Sequence, residues 1–113
     1  MESASNGNGR GGEKASLAVD ISSEHKTVVV ALSGELDISN VSALQQRLDE
    51  ALAGHPEKVV FDLAQLRFLD SSGIGLLLGV SARVGSVQLR KPSEIVEQVI
   101  RHMGLSEVLS IVP

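Results

Sequence analysis

V-V-F-D-L-A-Q-L-R-F-L-D-S-S-G-I-G-L-L-L-G, residues Val59 to Gly79, is the stretch from which the architecture can be read. It opens on an apolar, β-branched run that predicts a buried strand over Lys58 to Asp62. A short polar connector follows. Asp70-Ser71-Ser72-Gly73 then leads into a second apolar run that begins at Ile74 and predicts a helix from about Ser72 to Val84, ended by Gly85. Strand, hydroxyl-bearing turn and helix in that order bring side-chain oxygens and free backbone N–H groups to one helix N-terminus. Such a place suits an anion, including a phosphate carried on a serine.

Upstream, Leu17, Val19 and Ile21 alternate with Ala18, Asp20 and Ser22, which predicts a half-exposed strand. Ser23 to Lys26 is a polar turn. Thr27 to Leu32 is a continuous run of the kind found in a strand covered on both faces, so a β-hairpin is expected. Gly34 is expected to stop that strand, and Ser39 or Asn40 to cap the next element. Val41, Leu44, Leu48 and Leu52 recur at steps of three and four, an amphipathic helix ended by Gly54 and Pro56. Downstream, Val87 and Leu89 mark a short strand. Pro92 and Ser93 open a helix that carries Ile95, Val96, Val99, Ile100 and Met103 on one face, and Gly104 closes it. Leu105 to Val112 is apolar enough to pack back as a short helix or an edge strand. A hairpin followed by alternating helices and strands predicts an α/β domain with a mixed sheet and helices mainly on one face.

The 113 residues are enough for one domain that folds without disulfides, and 42% of them are apolar. Residues 1–15 are mostly Gly, Ser, Asn and charge and are expected to form a disordered tail, leaving 16–113 as the domain. There is no Cys, which removes thiol catalysis and thiolate metal sites and fits a reducing cytosol. A formal net charge of -4 argues against a general nucleic-acid binder. No apolar run approaches the ~20 residues that span a bilayer, and the N-terminus lacks a signal-peptide core. A cytoplasmic protein is expected.

On pattern alone Asp70-Ser71-Ser72-Gly73 has two readings. Asp and Ser are common N-caps, so the segment can serve only to satisfy the helix's first N–H groups. Yet two serines and an Asp exceed what one cap needs. Gly73, Gly75 and Gly79 stand in the first turns of the helix, where each costs about 1 kcal/mol against Ala. Gly75 and Gly79 share a face, either to let another helix approach or to leave a surface for a partner. A dinucleotide fingerprint fits poorly, because these glycines lie inside the helix and no acidic residue ends the following strand at Ser86 to Arg90. Ser71 lacks the G-x-S-x-G elbow of a hydrolase. His25, His55 and His102 are not spaced as a base for it or as metal ligands. No cofactor, metal or catalytic residue is expected.

Phe68 to Gly79 resembles the phosphorylation segment of bacterial anti-sigma factor antagonists of the STAS domain class. The resemblance extends from about Leu17 to Val112, with Gly34-Glu35-Leu36-Asp37, Pro92-Ser93 and Met103-Gly104-Leu105 as further points of likeness. It implies a STAS-like fold, a phosphate acceptor at Ser71 and a partner-binding surface that includes Glu35, Asp37, Asp70, Ser72, Gly73, Gly75 and Gly79. It also implies an anti-sigma factor partner with a GHKL-type serine kinase fold, a PP2C-type phosphatase and a monomer when free. The unphosphorylated form would bind the anti-sigma factor and free a sigma factor, and phosphorylation would end binding. The alternative within the fold is an unphosphorylated STAS scaffold, or a soluble subunit of a stress complex or transporter. Between Leu78 and Val87 the chain is several residues shorter than the resemblance leads one to expect. The central helix must end early, or the next loop must be very tight.

Overall fold

The computed structural model describes residues 16–113. Eight elements follow one another: β1 (Leu17–Glu24), β2 (Thr27–Leu36), α1 (Val41–Leu52), β3 (Lys58–Leu69), α2 (Ser71–Arg83), β4 (Ser86–Arg90), α3 (Glu94–His102) and β5 (Ser110–Val112). The strands form one sheet in the order β1-β2-β3-β4-β5. β1 runs antiparallel to β2 and the other pairs are parallel, as right-handed crossovers through α1, α2 and α3 require. The expected disordered tail lies outside the described residues.

The hairpin turns in two residues, with Glu24 paired to Thr27 and His25 at φ 58 in the left-handed region that tight hairpin turns use. Beyond it, the inward side chains of β2 (Val28, Val30, Leu32), β3 (Val59, Phe61, Leu63) and β4 (Val87, Leu89) are buried. The buried side chains of all three helices join them in a single cluster, among them Leu44, Leu48, Ile74, Leu77, Val96 and Ile100. At ~0.8 kcal/mol per buried CH2, this aliphatic cluster is the main favourable contribution to folding. The other face of β2 is less well covered than its β-branched run predicts, since Thr27, Val29 and Ala31 are only half-buried.

Two strands are longer than the sequence reading placed them. β2 does not stop at Gly34 but continues to Leu36, and β3 absorbs the polar connector up to Leu69. The reason is two register shifts, between Ala31 and Ser33 and between Gly34 and Glu35. Each adds one residue to β3, a bulge that breaks the alternation of period two. The inward residues therefore fall at Leu63, Leu66 and Leu69, three apart, with Ala64, Gln65, Arg67 and Phe68 exposed between them. Gly34 has φ +106, and a Cβ there would stand 2.2 Å from the Ser16 carbonyl oxygen. Only glycine lets β1 start beside it.

At the sheet edge, Arg47 of α1 donates through Nη1 to the Val19 carbonyl of β1 at 3.1 Å. Arg83 of α2 pairs with Asp49 of α1 at 2.6 Å. The tight connection expected after α2 is present, since only Val84 and Gly85 separate it from β4. In α3, Ser93 caps the first turn by accepting from Val96 N at 3.2 Å. Gly104 at φ +71 ends the helix as expected. The apolar side of α3 is wider than its contact with the core. Val96 and Ile100 are buried, whereas Ile95 and Met103 are exposed.

Substituting Gly34 by Ala is expected to lower stability in urea denaturation by more than about 1 kcal/mol, because the backbone conformation and the close Ser16 carbonyl both oppose a Cβ. The same change at Gly54, where nothing lies within 4 Å, is expected to stay within about 0.5 kcal/mol.

Candidate functional site

The parallel strands β2 and β3 end together, and their C-terminal ends carry the two loops that build the site. Asp70 N donates to the Leu36 carbonyl at 3.2 Å, which fastens the β3–α2 junction to the end of β2. Asp70 is the N-cap of α2. Its Oδ1 accepts from Ser72 N at 2.9 Å, Gly73 N at 3.1 Å and Ser72 Oγ at 2.6 Å. Its Oδ2 accepts from Ile38 N at 3.1 Å, in the loop between β2 and α1. The hydrogen bond from the Ser72 side chain, joined by those from the Gly73, Ile38 and Ser72 backbones, holds the Asp70 carboxyl below the ordinary carboxylate range against a smaller opposing effect of desolvation.

One carboxylate thus occupies two backbone donors that the sequence led us to expect free for an anion. Ser71, the first residue of α2, is exposed, and no hydrogen-bond partner for its hydroxyl stands among the described residues. Ser72 is half-buried and its hydroxyl is spent on Asp70. The two adjacent serines are therefore chemically distinct: one is free to be modified and the other belongs to the cap.

The β2–α1 loop is ordered by side chains. Asp37 Oδ1 accepts from Ser39 N at 3.0 Å and from Ser39 Oγ at 2.5 Å. Asn40 occupies the N-cap position of α1 without capping it. Its Oδ1 accepts from Asp37 N at 3.0 Å, and its Nδ2 donates to the Glu35 carbonyl and to Ser16 Oγ, both at 2.9 Å. The expected capping role for Asn40 gives way to this clamp because its one acceptor, Oδ1, is taken by Asp37 N. Glu35 lies within β2 rather than in a loop, with its carboxylate 3.9 Å from Arg67 in an exposed pair.

The expected phosphate acceptor Ser71 and two residues assigned to a partner surface on sequence, Gly75 and Gly79, lie four apart along α2 and are all exposed. A Cβ at Gly75 or Gly79 would meet nothing within 4 Å, so these glycines serve no internal packing. Gly73 is different. It is buried, and a Cβ there would stand 2.5 Å from Leu69 Cδ1, so it lets α2 settle on the core. Asp37 and Asp70 join this end of the molecule through Ile38. Sequence reasoning passed over Ile38 itself, whose side chain is 74% exposed although Asp70 fixes its backbone. The signal available was a lone apolar residue between polar ones in a turn, where burial would not be expected. Among the described residues no group of three or more His, Asp and Glu is placed to hold a metal ion, and no helix is long and apolar enough to cross a membrane.

Residues 19–113 match the family model described as Mlab, STAS domain. This chain belongs to the STAS-domain family. Among STAS relatives, an anti-sigma F factor antagonist of Lysinibacillus sphaericus is 35% identical over 85 residues, 71% of this chain and 73% of that protein. The anti-sigma-F factor antagonist RsfB of Mycobacterium tuberculosis is 30% identical over 70 residues, 62% of this chain; the match spans 57% of RsfB. The anti-sigma factor antagonist SpoIIAA in its unphosphorylated form superposes with a TM-score of 0.74 at 28% identity, over 85% of this chain and 89% of that one. Bacillus SpoIIAA in the phosphorylated form superposes with a TM-score of 0.69 at 27% identity, over 85% and 92%. The STAS-like α/β domain read from the sequence, with a mixed sheet that starts in a hairpin, is the fold observed, and the last segment, left open between helix and strand, supplies the edge strand β5.

Two measurements test the site. In Asp70→Asn the carboxylate is lost, so melting temperature is expected to fall at neutral pH. A depressed folded-state pKa gives stability that is complete above the unfolded value of 3.8 and disappears as pH falls through the folded value. The gap between wild type and variant should therefore narrow in melts below about pH 4. Gly75→Ala and Gly79→Ala, with open space around each, are each expected to raise stability by about 0.5–1 kcal/mol in denaturant titrations.

Proposed function

We propose that this chain is an anti-sigma factor antagonist: its unphosphorylated form binds an anti-sigma factor through the end of the sheet that bears Ser71, and phosphorylation of Ser71 ends that binding. The carrying observation is an exposed, unengaged serine at the first position of α2, beside a serine that the cap consumes. Homology to chains named anti-sigma F factor antagonist supports the reading, as does the superposition on SpoIIAA in both phosphorylation states. The partner class we infer is an anti-sigma factor with a GHKL-type serine kinase fold, with a PP2C-type phosphatase restoring the free hydroxyl. The role is that of a cytoplasmic binding module rather than an enzyme.

Electrostatics explains why one phosphate suffices. It adds roughly -1.5 to -2 charges at neutral pH. Asp70 already occupies the Ser72 and Gly73 N–H groups, so the phosphate gains little from the first turn of α2 and projects outward beside a carboxylate held ionised. A partner surface built around a neutral hydroxyl and the bare backbone at Gly75 and Gly79 then meets both bulk and like charge. The fold need not change. Glu35, Asp37, Asp70 and Ser72 border or hold this surface; Gly73 supports it from beneath.

Incubation with ATP and purified candidate anti-sigma factor kinases, read by mass spectrometry, is the test. Phosphate is expected on Ser71 in wild type and in Ser72→Ala, and on neither serine in Ser71→Ala. Wild type and Ser71→Ala should bind the kinase, while Ser71→Glu and Gly75→Leu should bind at least ~10-fold more weakly. Binding that Ser71→Glu leaves unchanged, with no transfer from any kinase tried, would replace the switch with the scaffold reading.

A further inference from the structure

Ile38 is the most exposed large apolar side chain among the described residues, at 74%. The core makes no use of it. Its backbone, by contrast, is held tightly. Four consecutive N–H groups of the β2–α1 loop have partners. Asp37 N donates to Asn40 Oδ1, Ile38 N to Asp70 Oδ2, Ser39 N to Asp37 Oδ1 and Asn40 N to the Asp37 carbonyl, all at 3.0–3.1 Å. Single exposed apolar residues are common on protein surfaces. Ile38 differs in standing on a fully bonded turn, fastened by the carboxylate of the residue just before Ser71.

We propose that Ile38 is the apolar anchor by which this chain engages its anti-sigma factor, entering a pocket on the partner beside the place that receives the Ser71 hydroxyl. The inference rests on the antagonist reading above and adds the residue that carries the binding energy. Specific interfaces draw most of their affinity from a few buried anchors, ringed by contacts that contribute little beyond excluding water. Around Ser71 the surface offers carboxylates at Glu35 and Asp37 and bare backbone at Gly75 and Gly79. Asp70 is also hydrogen-bonded to Leu36 and Ile74, but both of those side chains are buried. Of its partners, Ile38 alone has a large apolar area left to bury, and burial of such a side chain is strongly favourable.

The anchor is also prepared for binding. A β-branched side chain is stiff at χ1, and the turn beneath it is already bonded, so docking orders little that is not ordered beforehand. A membrane surface fits less well, because Asp37 and Asp70 flank Ile38 and the chain carries a net charge of -4.

Calorimetric titration of wild type and variants against purified anti-sigma factor kinases tests the proposal. Ile38→Ala should bind at least ~10-fold more weakly than wild type, and Ile38→Val, which keeps most of the side chain, only a few-fold more weakly. Melting temperatures should stay at the wild-type value, because the side chain stands in solvent. The loss in Ile38→Ala should be the same at low and high salt, as an apolar contact requires and a charge effect does not. Suppose wild type binds and Ser71→Glu does not, while Ile38→Ala binds like wild type. The anchor is then overturned and the antagonist reading stands. Wild type that binds none of the anti-sigma factors overturns both. A melting temperature that falls in Ile38→Ala assigns the side chain to the fold and overturns the anchor as well.

Discussion

The carboxylate of Asp70 is the joint on which this end of the molecule depends. One of its oxygens satisfies the first donors of α2, and the other holds the Ile38 N–H of a loop 32 residues earlier in the chain. Helix start, strand end and neighbouring loop are thereby fixed relative to one another without any fully buried polar side chain among the described residues. Such an arrangement holds the first turn of α2, and with it the backbone of Ser71, on a fixed frame. In the proposed switch, a phosphate on Ser71 would act through charge and shape at the surface, with no need to propagate through the core.

The parts of the fold that obey a regular period were legible in the sequence. The alternation of Leu17, Val19 and Ile21 gave β1, and the three-four spacing of Val41, Leu44, Leu48 and Leu52 gave α1. The second half of β3 was not legible, because two bulges convert its inward spacing from two to three and its exposed residues are polar. Its strand character resides in pairing with β2, a non-local fact that no local window contains. The end of β2 was missed for the same reason, with Gly34 read as a stop where it is a close approach to Ser16.

At the site, residue identity and residue role parted company. Asp70, Ser71 and Ser72 stand at the start of α2 as the pattern led one to expect, and Gly75 and Gly79 share one exposed face of it. The sequence could not divide the two serines, since that division rests on which hydroxyl reaches Asp70. Nor could it separate Gly73 from the other glycines: one is required by Leu69 beneath it, while two are left open. Ile38 escaped because exposure in a turn has no periodic signature, and α3 looked like one apolar face because a wide stripe does not show how much of it the core will use.

The Arg47 side chain has a consequence for colloidal behaviour. Counting back from the hydrogen-bonded Glu24–Thr27 pair, Val19 and Leu32 fall on a pair of the other kind, so the Val19 carbonyl points away from β2 toward the open margin of the sheet. That is where a foreign strand would begin to add, and Arg47 already occupies it. An incoming strand would have to evict a guanidinium that α1 holds in place. Among the described residues the eight-residue outer margin of β1 is unpaired, and the helix α1 thus guards one of the points on it at which a new strand would have to start.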